Sequence, residues 1–131
     1  MISIPSFILK RLYVKNSLSN YGDGFEFKLR NSLGSGYAYK MYPLILDGNT
    51  IPLLSTFFIV GPREVSFAEV DRENTFTLAI NRDITIRLHN FNLEPGSHTI
   101  VMSFEVPGLG TLKFDFTDNL SNQLNEGDID D

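Results

Sequence analysis

The sequence predicts an all-β fold, an antiparallel β-sandwich of about 8–10 short strands in the immunoglobulin-like style. Apolar and polar residues alternate over several short segments, clusters of Gly, Pro, Asn and Asp separate those segments, and no segment has the period of an amphipathic helix. A chain of 131 residues is long enough for one hydrophobic core. We therefore expect one sandwich domain over residues 1–117 and an acidic, disordered tail over residues 118–131.

The first half of the chain is predicted to contribute three strands. Residues 7–15 are interpreted as the first, because their aromatic and β-branched residues suit a pleated surface and turn residues follow them. Residues 25–30 have the clearest pattern, since Phe and Leu alternate there with Glu, Lys and Arg. Residues 37–46 form the third, in which Pro43 marks an edge position or a bulge because proline cannot donate to the ladder.

The turns between the later strands also have recognisable residues. Asp47-Gly48 is a strong hairpin signal, because both residues tolerate the positive φ of a primed turn. Gly61-Pro62 ends an apolar run over residues 57–60, and Pro and Gly within residues 107–110 predict a hairpin before the last strand.

A turn and the strand after it dominate residues 92–104. Pro95 fixes φ for the first central position of a turn, and Gly96 supplies the permissive backbone after it. His98 follows, and we expect one of its ring nitrogens to anchor the turn, as a tyrosine does in many sandwich corners, rather than to act in catalysis. The larger apolar side chains of the strand should face the core: Ile100, Met102 and Phe104.

Three tyrosines, Tyr37, Tyr39 and Tyr42, lie within the predicted third strand. Period-two alternation places Tyr37 and Tyr39 on one face. Such an aromatic face belongs to the core, to an interface with a protein partner or to a platform for a sugar ring. We favour core or interface, and Tyr37, Tyr39 and Tyr42 are the candidate interface residues.

The composition excludes several classes of chemistry. The chain has no Cys and only two His, so it offers no thiolate site and no recognisable zinc motif. Its glycine pairs lie between predicted strands and not before a helix, which excludes a dinucleotide-binding motif. We expect no catalytic residue, no metal and no cofactor.

Charge and hydropathy limit the partners and the location. The tail has five of the sixteen acidic residues and no basic one, which leaves eleven charges of each sign in a neutral body. A neutral body argues against nucleic acid binding. No run approaches the roughly 20 apolar residues of a membrane span, and the N-terminus lacks the basic region of a signal peptide. A cytoplasmic protein is expected, with which the absence of Cys agrees.

Several segments together resemble one family. Four segments resemble, in this order, the small β-subunits of C-glycoside deglycosidases and related uncharacterised prokaryotic proteins: SLSN (residues 17–20), GFEFKLR (24–30), LDGNTIP (46–52) and LEPGSHTI (93–100). The resemblance implies a non-catalytic accessory subunit that assembles, as part of a hetero-oligomer, with a larger barrel-type enzyme subunit. It transfers no catalytic residue to this chain.

Two other functions stay open on the sequence. One is a stand-alone carbohydrate-binding or small hydrolytic domain that uses surface carboxylates and tyrosines. The other is a structural protein that self-associates into a homo-oligomer, for which exposed apolar area is sufficient.

Overall fold

Two antiparallel β-sheets enclose one hydrophobic core, which confirms the predicted all-β sandwich. The computed structural model describes residues 4–120. Within this range the strands are, in chain order, Ser19–Tyr21 (β1), Gly24–Arg30 (β2), Gly36–Ala38 (β3), Lys40–Met41 (β4), Ile45–Leu46 (β5), Asn49–Thr50 (β6), Thr56–Val60 (β7), Arg63–Ser66 (β8), Phe76–Leu78 (β9), Asp83–Leu88 (β10), Gly96–Val106 (β11) and Gly110–Leu120 (β12). The first sheet has the order β1-β2-β10-β7-β8, and the second has the order β12-β11-β5-β6.

Strand β11 is the centre of the second sheet. It pairs with β12 along its whole length, and its other edge pairs with β4 and β5. The two remaining strands, β3 and β9, form a small antiparallel sheet of their own. Its inward side chains join the same core as those of the two large sheets.

The inward faces of β11 and β2 are the ones that alternation predicted. Ile100, Met102 and Phe104 are at most 3% exposed, and residues 25, 27 and 29 are completely buried. Phenylalanine rings fill much of the space between the layers. Phe58 and Phe76, for example, meet edge to face with their centroids 5.0 Å apart, a favoured geometry for an aromatic pair.

The Asp47-Gly48 hairpin is confirmed. β5 and β6 pair directly on either side of these two residues, and both have positive φ, 51° at Asp47 and 87° at Gly48. This is the backbone of a primed turn, whose twist matches that of the flanking strands.

The prediction of a strand over residues 7–15 was wrong. Ser6–Leu9 form one short α-helix (α1), and Lys10–Leu12 continue it as a 3-10 turn. Leu9 and Leu12, three residues apart, are both buried, and this segment packs against β12. A helix of this length has little stability of its own, so tertiary burial of one apolar stripe overrides the strand propensity of the residues.

The predicted third strand is broken into three pieces. The chain pairs with β9 as β3 and then with β11 as β4 and β5. Tyr39 lies in the bend where the pairing changes, and Pro43 lies in the gap between β4 and β5. At the other end of the domain, β12 continues through residues 118–120, and residues 121–131 of the predicted tail lie outside the described residues.

Within residues 4–120, no helix is both long and apolar enough to cross a membrane.

Gly24 provides a test of how closely β2 and β10 approach. A Cβ at this position would lie 1.7 Å from the backbone carbonyl oxygen of Leu88. Gly24→Ala should therefore lower the free energy of unfolding by about 1–3 kcal/mol or more, because the backbone of β2 or β10 must move to make room for the methyl group. Gly36→Ala is the matched control, because a Cβ there meets no atom within 4 Å. Equal urea midpoints for the two variants would contradict this packing.

Candidate functional site

An apolar cleft of about 370 Å³ opens at one end of the sandwich. We use this name for the space between three walls. The N-terminal segment forms the first wall, β3 and β9 with the loop before β3 form the second, and the end of the β11–β12 hairpin forms the third. The side chains that close the hairpin wall are Phe104, Val106, Pro107, Leu109 and Leu112.

The small sheet of β3 and β9 shapes the cleft. Gly36 pairs with Leu78 and Ala38 pairs with Phe76, while Tyr37 lies between them on the opposite face. Gly36 and Ala38 therefore face inward, because side chains alternate along a strand. Two small residues at these positions leave space that larger side chains would occupy.

Asn31 fixes the loop that leads into β3. This residue is 3% exposed. Its Nδ2 donates to the backbone carbonyls of Gly34 and Leu78, and its Oδ1 accepts from the backbone nitrogens of Leu33 at 2.9 Å and Gly34 at 3.2 Å. The two donors and two lone pairs of the amide are all in use, so Asn31 braces the cleft and has no group left to bind a ligand.

The cleft is lined mainly by apolar side chains. Of the residues that line it, only Asn31, Ser35 and Tyr37 have a polar side chain, and none is charged. General acid–base catalysis needs a titratable group within hydrogen-bond reach of the substrate. The cleft can accept apolar groups, and the phenol of Tyr37 is the one titratable side chain among its lining residues.

The three candidate tyrosines lie in different environments. Tyr37 lines the cleft and is 47% exposed. Tyr39 stacks on Arg72, whose guanidinium carbon lies 4.0 Å from the ring centroid. Tyr42 lines a separate, shallow groove together with Ser103 and Lys113. No ring of the three contacts another within the part of the chain that the structure describes.

His98 lies at the corner before β11, next to the Pro95-Gly96 turn. Its Nε2 lies 2.6 Å from the backbone carbonyl of Glu94, and its Nδ1 lies 2.7 Å from Oδ2 of Asp47. Burial opposes protonation of the ring, but the acceptors on both nitrogens outweigh it and raise the pKa of His98. A ring with acceptors on both sides can donate twice only as the imidazolium.

His89 has the same arrangement on the first sheet. Its Nε2 lies 2.8 Å from Oε1 of Glu64, and its Nδ1 lies 3.1 Å from Oδ1 of Asp23. These hydrogen bonds raise the pKa of His89. Arg87 binds both Glu64 and Glu26, which makes a chain of alternating charges across β8, β10 and β2. In the sequence, the alternation of these charged residues with apolar ones along their strands is the signal that could have predicted this network of charges.

Neither histidine belongs to a metal-binding cluster in the part of the chain that the structure describes. Among the described residues, no group of three or more His, Asp or Glu side chains is arranged to hold a metal ion. Both histidines instead bridge separate segments, so their contacts are those of structural clamps.

The two clamps predict a dependence of stability on pH. A histidine whose pKa is raised by folding contributes stability that is complete below the unfolded value of about 6.5 and lost as the pH rises through the folded pKa. The lowered pKa values of Asp23, Asp47 and Glu64 act at the acidic end, since their contribution is lost as these carboxylates protonate. The urea midpoint should therefore be highest between about pH 4.5 and 6.5 and should fall at higher pH.

Replacing both histidines tests the origin of this decline. The double variant His89→Gln and His98→Gln should be less stable at pH 6 and should lose most of the decline above about pH 6.5, because glutamine does not titrate. A double variant whose profile runs parallel to that of the wild type would show that other groups cause the decline.

Comparison with known proteins identifies the family. A family model described as "Hydroxymethylglutaryl-CoA reductase, N-terminal domain" matches residues 8–121. No curated protein matches the sequence. Because the match extends over most of the chain, the chain belongs to this family.

The family match corrects the resemblance drawn from the sequence, since it is not to a family of C-glycoside deglycosidase β-subunits. Three of the four segments behind that resemblance correspond to β2, the β5–β6 hairpin and the start of β11. Alternating strands and Asp-Gly or Pro-Gly turns occur in many antiparallel sandwiches, so they describe the fold and not the family. The expectation of a barrel-type partner was implied by that resemblance and loses its basis.

Proposed function

We propose that the chain is a non-catalytic accessory domain that assembles with the catalytic part of a hydroxymethylglutaryl-CoA reductase through the end of the sandwich that has the apolar cleft. The observation behind this proposal is the cleft itself, which is lined by aliphatic and aromatic side chains and has no charged group among its lining residues. Depletion of charge and enrichment in aromatic residues are typical of the buried centre of a protein interface.

The exposure of Tyr37 at the cleft supports a contact with a protein. Tyrosine is enriched among the residues that dominate binding energy, because it combines a large apolar ring with a polar end. Ile80 forms an isolated β-bridge with Asn31, next to the loop before β3, and is also 50% exposed. A partner that covered the cleft could therefore also bury these neighbouring side chains.

The family description supports the kind of partner. It places domains of this family at the N-terminus of an enzyme, and a domain in that position has a catalytic part next to it. The absence of Cys agrees with a cytoplasmic location for the assembly.

Copurification tests the assembly. The full chain and the catalytic part of the reductase from the same organism should elute together in size-exclusion chromatography. Tyr37→Asp should weaken the complex at least about tenfold in titration calorimetry, because a carboxylate beside the cleft would have to leave water when the partner binds. Leu54→Asp is the matched control, since Leu54 is 74% exposed and does not line the cleft.

Two outcomes would overturn the proposal. One is a wild-type chain that stays separate from the catalytic part at concentrations well above those of the cell. The other is a chain that forms a homo-oligomer in light scattering and loses it in Tyr37→Asp, which would favour self-association over an accessory role.

A second candidate, carbohydrate binding, is favoured by the groove at Tyr42. Tyr42 lines this groove together with four residues that have hydrogen-bonding side chains: Thr50, Ser103, Thr111 and Lys113. Rings next to hydrogen-bonding groups provide both stacking and orientation for a ligand. A glycan array in which the wild type binds and Tyr42→Ala does not would support this candidate, and an array without signal would reject it.

A further inference from the structure

We propose that the Asp47-Gly48 pair is a latent site of isoaspartate formation, which the clamp at His98 keeps from reacting. This modification site concerns the turn between β5 and β6 and is independent of the proposed function. It is carried by the hydrogen bonds of the Asp47 carboxylate, by the conformation of the turn and by a second Asp-Gly pair that is held in the same way.

The reaction needs only the two residues and water. Asp-Gly pairs are especially open to it, because glycine has no side chain to shield its backbone nitrogen. The nitrogen of Gly48 would attack Cγ of Asp47, and the new N–Cγ bond forms as the carboxyl hydroxyl leaves with the amide proton as water. Water then opens the resulting succinimide ring. If the original peptide C–N bond breaks, the backbone continues through the side chain as isoaspartate, with no net change in atoms.

The fold requires the glycine that makes this pair reactive. Gly48 lies in the turn between the paired residues of β5 and β6 and has a φ of 87°. Any other residue would be strained in this conformation. The space beside the turn is open, since a Cβ built on Gly48 would meet no atom within 4 Å. The turn therefore provides a nucleophile that the sequence cannot easily replace.

The clamp acts on the carboxyl group that would be attacked. Oδ2 of Asp47 lies 2.7 Å from Nδ1 of His98, and Oδ1 accepts from the backbone nitrogen of Thr99 at 2.8 Å. Both oxygens are thus held at the start of β11, which restrains the side chain from turning its Cγ toward the nitrogen of Gly48. The hydrogen bonds from His98 and Thr99 also lower the pKa of Asp47. A smaller fraction of the neutral carboxyl slows the reaction, because a carboxylate is a poor electrophile.

The other Asp-Gly pair is held by the other histidine. The sequence has two Asp-Gly pairs and two histidines. Nδ1 of His89 lies 3.1 Å from Oδ1 of Asp23, and this hydrogen bond is the main cause of the lowered pKa of Asp23. The glycine is again required, since a Cβ at Gly24 would lie 1.7 Å from the carbonyl oxygen of Leu88. In both places the fold requires the glycine and a histidine holds the aspartate before it, as a protective role predicts.

Peptide mapping of aged protein tests the inference. The full chain is kept for weeks at about pH 6, where a histidine of raised pKa is charged. Electron-transfer fragmentation then measures isoaspartate at residue 47. His98→Leu removes the hydrogen bonds of the ring and should form isoaspartate there at least about tenfold faster than the wild type. His98→Gln is a second, milder variant, which loses only the positive charge of the donor and should react at least about twofold faster.

His89→Leu is the matched control. It removes the clamp at the other pair, so it should raise isoaspartate at Asp23 and leave the rate at Asp47 as in the wild type. Wild-type chain unfolded in urea gives the rate without any clamp, and the folded wild type should react at least about tenfold more slowly at Asp47.

Three results would overturn the inference. The first is a wild-type rate at Asp47 in a folded His98 variant. The second is an equal increase at Asp47 in His98→Leu and His89→Leu, because a general loss of stability would then cause the reaction. The third is a folded wild type that reacts at Asp47 as fast as the unfolded chain, which would show that the site is not protected.

Discussion

The register of β11 is the constraint on which the rest of the structure depends. β11 pairs with β12 on one edge and with β4 and β5 on the other, so it fixes three strands at once. Its inward residues fill the centre of the core. A slip of one residue would turn the whole apolar face of the strand toward solvent. The alternation along β11 therefore determines how the second sheet meets the first.

Interactions within a few residues of the chain could be predicted from the sequence. The alternation in residues 25–30 identified β2, and Asp47-Gly48 identified a primed turn, because each signal depends only on local backbone preferences. These local signals, repeated at short intervals, were sufficient to predict a sandwich.

Features that depend on tertiary contacts could not be predicted. Residues 6–12 have mixed local preferences, and burial of Leu9 and Leu12 beside β12 decides in favour of a helix. The apolar cleft is formed by residues that lie as far apart in sequence as Ile4 and Leu112. The three tyrosines looked like one patch, but the change of pairing at Tyr39 separates them. In each case a contact between distant segments overrides the local pattern.

The corner before β11 and the apolar cleft lie at opposite ends of the same hairpin, and the first helps to position the second. Asp47 accepts from the backbone nitrogen of Thr99 at 2.8 Å and also binds His98, which attaches the β5–β6 turn to the start of β11. About 20 Å further along the strand, at roughly 3.4 Å per residue, Phe104 and Val106 line the cleft. A corner that holds the register of β11 thereby determines which side chains face the cleft. The Pro95-Gly96 corner therefore acts on the candidate site through the strand and does not form part of it.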